Sequence, residues 1–376
     1  MATFVPAEVF PPGEIIREEL KARDWTQSDL AEVMERPLQV VNEIVLAKKR
    51  VTEETAKELE AALGIEAEFW LKTEALYRLH HAEPAPSAIQ RRAAVRRRVP
   101  LRLMVSRHWI QPTDDIDELE RNVRQYLGVQ SLDAQAEFAM AAKQTSYDRP
   151  LSQVQEVWLL RVKRLAESLV VPSYSPTKLE RAITQLRTLL RSPDDARHAP
   201  RILADAGVRF VVVERLPGLG IDGACFWLSS SKPVIAMSLS RNRIDNFWFV
   251  LRHECEHVLN EDGKRGALVD NDLDEAVEVS EQERRANAAA ADFCVPKIEM
   301  DDFIKRKSPL FTDDNIRQFA HSIGLHSGLV AGQLRKRLGA WGKYTSHLAR
   351  IRHVITDAAL VDGFGSVPQI EVTQSR

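Results

Sequence analysis

The residues best placed to do chemistry are His253-Glu254-Cys255-Glu256-His257. Four residues along an α-helix amount to about 400° of rotation, so His253 and His257 leave one face only ~40° apart. Two imidazoles so placed reach a single Zn²⁺ at about 2.0–2.1 Å. Glu254, one residue on, can approach a water on that ion without ligating it, and can serve there as general base. Two histidines leave a tetrahedral site one protein ligand short if water is to hold the fourth position. About 25 residues on, Ser280-Glu-Gln-Glu-Arg-Arg-Ala-Asn287 opens another helical run. Glu283 and Asn287 stand at i and i+4 and share one face of it. Glu283 completes a His₂Glu set, and Asn287 can accept the free ring N–H of a ligand histidine. The bland alternative is a histidine pair at a helix surface. The apolar lead-in Ile244-Asp-Asn-Phe-Trp-Phe-Val-Leu251 argues against it. Behind such a lead-in His253, Glu254, Glu256 and His257 would be costly without a shared partner. Cys255 falls on another face and reads as a small core residue.

These residues, with Phe247-Trp-Phe-Val-Leu-Arg before the motif, Glu283-Arg-Arg-Ala-Asn287 and Phe293-Cys-Val-Pro296 after it, give the segment from about 207 to 339 a resemblance to the ImmA/IrrE metallo-endopeptidases. The resemblance implies a zincin-like fold and a zinc-dependent protease that acts on a repressor or regulatory partner. It also implies His253, His257 and Glu283 as ligands and Glu254 as catalytic base. Glu256 stands where that family commonly has a small residue, which places an extra carboxylate beside the motif. Ile323-Gly-Leu-His326-Ser-Gly-Leu-Val-Ala-Gly-Gln-Leu334 resembles a later segment of the same family, with His326 a candidate oxyanion donor or rim residue against the blander reading of a capping histidine.

Short β-type runs precede the motif at Arg209–Glu214, Cys225–Leu228 and Val234–Met237, divided by Gly and Pro signals. They predict a small sheet, with the edge near 234–238 open to an extended peptide by strand addition. Helical periodicity dominates from about Ile244 to 338, and it also runs through 101–205, which carries no motif and reads as a connector. The tail after Gly363 reads as loose.

Near the N-terminus, Thr26-Gln-Ser-Asp29 is a capping box that starts a helix running to about Met34. Pro37 suits the first turn of a second helix reaching about Ala47. Two short helices joined by a tight turn are the architecture of a helix-turn-helix, whose second helix lies in the major groove. Gln39 and Asn42 can read base edges and Val40 can meet a thymine methyl. Gln27, at a helix N-terminus, with Lys48, Lys49 and Arg50, can touch phosphates. A fifth helix around Phe69, Trp70, Leu76 and Leu79 covers the bundle. Pro12-Gly-Glu-Ile-Ile-Arg-Glu-Glu-Leu20, Val41-Asn-Glu-Ile44, Lys48-Lys-Arg50 and Phe69-Trp70 resemble the HigA-type antitoxin branch of the Xre helix-turn-helix family over about residues 8–80. That resemblance implies a homodimer on a palindromic operator. Glu35 occupies a turn position often held by glycine, and a positive φ there costs about 1–2 kcal/mol.

The whole chain, at 376 residues, is too long for one ordinary core. An apolar fraction of 44% and a charged fraction of 28% are those of a globular protein. Three cysteines, Cys225, Cys255 and Cys294, are too few and odd for a disulfide framework. With no apolar run near the ~18 residues a bilayer requires and no signal-peptide pattern, a cytoplasmic protein is expected, with no membrane partner. The expected architecture is mainly α with a small α+β part. It comprises a helix-turn-helix bundle at 8–80, a basic linker at 81–100, a helical connector at 101–205, a zinc-peptidase domain at 206–340 and an extension at 341–376. The expected function is a DNA-binding transcriptional regulator that cleaves a protein partner. The alternative is an antitoxin-like repressor that binds a toxin and operator DNA, its zinc domain structural or sensory.

Overall fold

The computed structural model describes residues 9–83, 86–136, 138, 143–144, 151–264, 266–271 and 280–362. The chain divides into two compact units, Met1–Ser87 and Ala88–Arg376. No helix among the described residues is long and apolar enough to cross a membrane.

The first unit is a bundle of α1 (Pro12–Ala22), α2 (Gln27–Val33), α3 (Leu38–Val45), α4 (Glu53–Leu63) and α5 (Ala67–His81). The capping box forms as the sequence predicts. The Asp29 amide donates to Thr26 Oγ1 at 3.2 Å, and the Thr26 amide donates to Asp29 Oδ2 at 2.6 Å. Such a cap contributes about 1 kcal/mol to a helix as short as α2. Pro37 sits one residue outside its expected place, as the N-cap of α3 with extended geometry. Ile16, Leu30, Val41, Ala56, Leu59 and Trp70 fill the core. Of the apolar residues expected to make α5 a cover, Trp70 is fully buried, with its indole N–H donating to the Ile65 carbonyl at 3.1 Å. Phe69, Leu76 and Leu79 are instead exposed.

The second unit begins with α6 (Ser87–Arg98), α7 (Leu101–Ser106), α8 (Ile116–Leu127), β1 (Lys143–Gln144) and α9 (Gln153–Ser168). It continues with α10 (Pro176–Arg187), α11 (Ala199–Asp205), β2 (Arg209–Val213), β3 (Ile221–Trp227), β4 (Pro233–Met237) and α12 (Ile244–Leu259). The last elements are β5 (Leu268–Asn271), α13 (Glu281–Cys294), α14 (Lys297–Lys307), α15 (Asp313–Ser322), α16 (Ser327–Leu338), α17 (Arg352–Thr356) and β6 (Leu360–Asp362). The strands form one mixed sheet in the order β1-β5-β3-β4-β2-β6.

Alternation along the strands decides the layering, because successive side chains point to opposite faces. Phe210, Val212, Cys225, Ile235 and Met237 belong to one core, shared with α10–α17. Val211, Val213, Ala224, Phe226, Val234 and Ala236 belong to another, shared with Val95, Met104, Val123 and Trp158 of α6–α9. The sheet is therefore covered on both faces, so the expected connector at 101–205 is no separate body. Its segment from α7 to α9 is one wall of the second unit. The basic run is built into the same wall. Arg91 pairs with Glu120 at 2.8 Å and Asp117 at 2.5 Å, and Arg98 pairs with Glu156 at 2.6 Å. These arginines are committed to the fold, and the other arginines of residues 91–102, Arg92, Arg96, Arg97 and Arg102, are exposed. Residues 341–362 are likewise integral, since β6 pairs in parallel with β2; the rest of the extension lies outside the described residues.

One expectation about the sheet is overturned. β4, at 233–237, is hydrogen-bonded to β3 on one side and β2 on the other. An interior strand has no free backbone groups for an added peptide, so strand addition cannot occur there.

Candidate functional site

α12 is positioned by its apolar face: Phe247, Trp248, Leu251, Cys255 and Val258 are buried in the core beneath the sheet. α13 packs along it through the small buried residues Ala286 and Ala290, which allow close approach of the two helices. The result brings His253, His257 and Glu283 together, with their donor atoms within 4.8 Å of one another. The two Nε2 atoms face each other at 3.0 Å. Glu283 straddles them, with Oε2 3.3 Å from His253 Nε2 and Oε1 3.2 Å from His257 Nε2. Ligands of a tetrahedral Zn²⁺ at about 2.0–2.1 Å are separated by roughly 3.3 Å, so this donor set fits that ion. Both histidines are fully buried and Glu283 is 5% exposed.

Glu254 is also fully buried, and it approaches the sheet at a glycine. A Cβ at Gly223 of β3 would collide with Glu254 Oε1 and lie 2.8 Å from Val250 Cγ1. The β3–β5 register shifts at this point, between Ile221 and Gly223. A glycine beside an irregularity lets the strand cross directly over the carboxylate.

The residue holding the imidazole is one the sequence reading missed. His257 Nδ1–H donates to Asp262 Oδ2 at 3.0 Å, which leaves Nε2 to face the cluster. Asp262 is itself held by Arg285 Nη2 at 3.0 Å and Gln282 Nε2 at 2.9 Å, both from α13. The chain returns Asp262 beneath the helix through Glu261 at a φ of 59°. The turn-forming run Asn260-Glu-Asp-Gly263, soon after His257, was the available signal. Asn287, expected in this role, does not perform it. Its Oδ1 is buried, with no hydrogen-bond partner among the described residues, and the side chain lines a neighbouring cavity instead.

Two other residues of the motif segment are accounted for. Glu256 points away from the donors, paired with Arg252 at 2.8 Å and accepting from Asn260 Nδ2 at 3.0 Å. Cys255 is in the core, where burial pushes its thiol up to about 12 and keeps it protonated. His326 is not among the converging donors. Its Nδ1 accepts the Gly328 amide at 3.0 Å as the N-cap of α16, and burial followed by the neighbouring His347 holds its pKa below the usual histidine value.

In the first unit, α2 and α3 are joined by a turn in which Glu35 has a φ of 52°. Arg36 ties that turn to α4 by a fork on Glu58, with contacts of 2.7 Å and 3.1 Å. Gln39 and Asn42 are exposed on α3, and Lys48, Lys49 and Arg50 are exposed just past its end. Gln27 is half-buried in the first turn of α2. Val40 departs from expectation, being half-buried against the bundle core. Leu38 of α3 and Leu46, its C-cap residue, are apolar side chains turned to solvent, each 50% exposed.

Comparisons with known proteins bear on this first unit. A family model described as helix-turn-helix matches residues 16–70. The unit is a helix-turn-helix domain, a DNA-binding class. An antidote protein of a plasmid maintenance system from Nostoc punctiforme is 25% identical, with 20% of this chain and 82% of that one covered at a TM-score of 0.20. An addiction-module antidote protein of a HigA family from Coxiella burnetii is 32% identical, with 19% and 77% covered and a TM-score of 0.18. A Pseudomonas aeruginosa protein crystallised with its 18-base-pair operator DNA is 26% identical, with 21% and 100% covered and a TM-score of 0.19. No curated protein sequence matches the chain significantly.

Proposed function

We propose that this chain is a DNA-binding transcriptional regulator whose second unit hydrolyses a peptide bond in a regulatory protein partner, using zinc held by His253, His257 and Glu283. The observation that carries the reading is the convergence of two Nε2 atoms and one carboxylate at 3.0–3.3 Å, with the Glu254 carboxylate next in sequence to His253. Zinc, when bound, supplies a Lewis acid that polarises a carbonyl and makes water acidic near neutral pH. Asp262 fixes the tautomer and tilt of His257. Glu254 accepts a proton from the attacking water and returns it to the leaving amine. Gly223 leaves room for that carboxylate under β3. In the first unit, Gln39 and Asn42 contact base edges while Gln27, Lys48, Lys49 and Arg50 contact phosphates. The HigA-like sequence features favour a homodimer on a palindromic operator in the cytoplasm.

The test is metal analysis and proteolysis with Glu254→Gln. The variant keeps stoichiometric zinc and loses at least about 100-fold in cleavage rate, the usual scale for a lost general base. Wild-type protein that holds no zinc under replete conditions ends the peptidase reading. A second reading is favoured by one observation, the complete burial of both histidines and Glu254. Here the metal stabilises an antitoxin-like repressor that binds a toxin, and Glu254→Gln leaves repression and toxin neutralisation unchanged.

A further inference from the structure

Residues 84–113 hold seven arginines, no lysine and no acidic residue, in a chain with 54 acidic residues. The fold uses these arginines in two ways. Successive helix positions turn by about 100°, so α6 sorts its arginines by face. Arg91 and Arg98 stand with the buried Val95 on the inner face, where Glu120 and Glu156 neutralise them. Arg107 is buried as well, and its Nη2 donates to the Arg215 carbonyl at 2.8 Å. Arg92, Arg96 and Arg97 stand on the outer face of α6 and are exposed. Arg92 Nη2 donates to the Asp114 carbonyl at 2.7 Å, a neutral acceptor that leaves its charge unpaired. Arg96 and Arg97 make no ion pair among the described residues, and neither does the exposed Arg102 of α7.

Helix stability does not call for such an outer face. Arg92 and Arg96, at i and i+4, repel one another. The helix dipole favours cations in the last turn, which accounts for Arg96 and Arg97 but not for Arg92 or for a first turn without an acid. Lysine would serve a merely solvated face equally well. Guanidinium is the group whose planar fork matches two phosphate oxygens at once. Position in the chain points the same way. Five residues, 82–86, separate α6 from the last helix of the DNA-binding unit, and five residues extend over at most about 17 Å. A duplex held by the first unit therefore has α6 on a short tether.

We propose that the outer face of α6, through Arg92, Arg96 and Arg97, grips DNA phosphates, with Arg102 extending the contact. The proposal rests on the DNA-binding reading of the first unit. Phosphate contacts add affinity on every sequence and carry no base readout, so α6 supplies grip while α3 supplies choice. Because Arg91 and Arg98 fasten the inner face of α6 into the second unit, the same grip holds that unit on the duplex.

The experiment is a salt titration by fluorescence anisotropy, using full-length protein and a labelled mixed-sequence duplex of ~40 base pairs. Arg92→Gln, Arg96→Gln and Arg97→Gln combined should reduce the slope of log affinity against log salt by about 2–3, since each lost phosphate contact removes roughly 0.9. Affinity at ~50 mM salt should fall at least about tenfold. The corresponding triple lysine variant keeps most of the slope because the charge persists, and substitutions at these exposed positions leave the thermal midpoint unchanged. Lys48→Ala with Lys49→Ala, titrated alongside, reports on the first unit. A wild-type slope in the glutamine variant, with a reduced slope in the Lys48/Lys49 variant, overturns the α6 contact and leaves the DNA-binding reading standing. A slope reduced only in the glutamine variant supports α6 and contradicts the phosphate contacts assigned to the first unit. An unchanged DNA slope, with a labelled oligoglutamate peptide bound by wild type and lost by the glutamine variant, assigns the patch to an acidic protein segment and overturns the proposal. Wild type that binds no duplex at ~50 mM salt overturns both.

Discussion

The α2–α3 pair and the α12–α13 pair both set functional side chains at helical spacing, yet they spend those side chains oppositely. On α3 the polar groups Gln39 and Asn42 face solvent, while the groups that fix the helix are apolar and buried. On α12 the polar groups His253, Glu254 and His257 are fully buried, and their fixing groups are themselves polar: Asp262, Arg285 and Gln282. An exposed recognition face tolerates loss of one member, because water satisfies whatever remains. A buried polar cluster does not, because each removed partner strands another group in low dielectric. The two regions should therefore differ sharply in how mutation is felt.

The largest effect is expected at the cluster's centre. His257→Ala removes a ligand and leaves Asp262 and Glu283 as buried carboxylates without their histidine. Zinc content should fall to background, and the thermal midpoint of the second unit should drop by an amount corresponding to about 3–5 kcal/mol, the scale for breaking a buried charged set. A midpoint unchanged from wild type, measured by calorimetry on zinc-loaded samples, would mean that the cluster is not a metal site at all. Asp262→Asn is a milder form of the same experiment. The amide still reaches His257 Nδ1 but brings no charge, so zinc affinity measured by chelator competition should weaken about 10–100-fold. An unaltered affinity would reduce Asp262 to a turn residue.

The first unit sharpens the contrast from the other side. Gln39→Ala and Asn42→Ala should each weaken operator binding by about 1–3 kcal/mol without shifting the unfolding midpoint. Lys48→Ala should weaken binding to all sequences alike and reduce the slope of affinity against salt by about one ion. If the glutamine and asparagine variants instead lose stability, the exposed face of α3 is structural and the comparison with α12 fails.

How far these sites could be read from the sequence follows the same division. The convergence of the three donors was legible because helical geometry alone places His253 with His257, and the next helical run carries Glu283 and Asn287 on one face at i and i+4. The strands at 209–213 and 233–237 were legible from their β-branched residues. The neighbours of β4 were not, because pairing is set by long-range topology: β6 closes the sheet from 360–362, and β5 interrupts a stretch that reads as helical. Residues 101–205 read as a connector because a helix covering a sheet has the same periodicity as one covering another helix. Asp262 was missed for a related reason, since the turn-forming run around it marks a chain reversal but not which side chain it returns to the helix. Its role depends on a chain reversal at Glu261, and a positive φ leaves little mark when the residue is not glycine.

Glu35 gives the smallest effect and the most direct check on that last point. It has a φ of 52° in the turn between α2 and α3, with its amide donating to Glu32 O at 3.1 Å and its side chain exposed. A non-glycine residue in this region carries about 1–2 kcal/mol of steric strain, which glycine would relieve while adding flexibility to the unfolded chain. The net expectation for Glu35→Gly is a gain of up to about 1 kcal/mol in the first unit, read as a higher midpoint in denaturant, with operator affinity retained. The turn geometry is held from outside by the Arg36–Glu58 fork. Combining Glu35→Gly with Glu58→Gln should therefore lose most of the gain, since the relaxed turn then has nothing to fix α3 against α4. A Glu35→Gly variant that is destabilised on its own would mean that the turn does not adopt this backbone, and that α3 presents a different face to DNA.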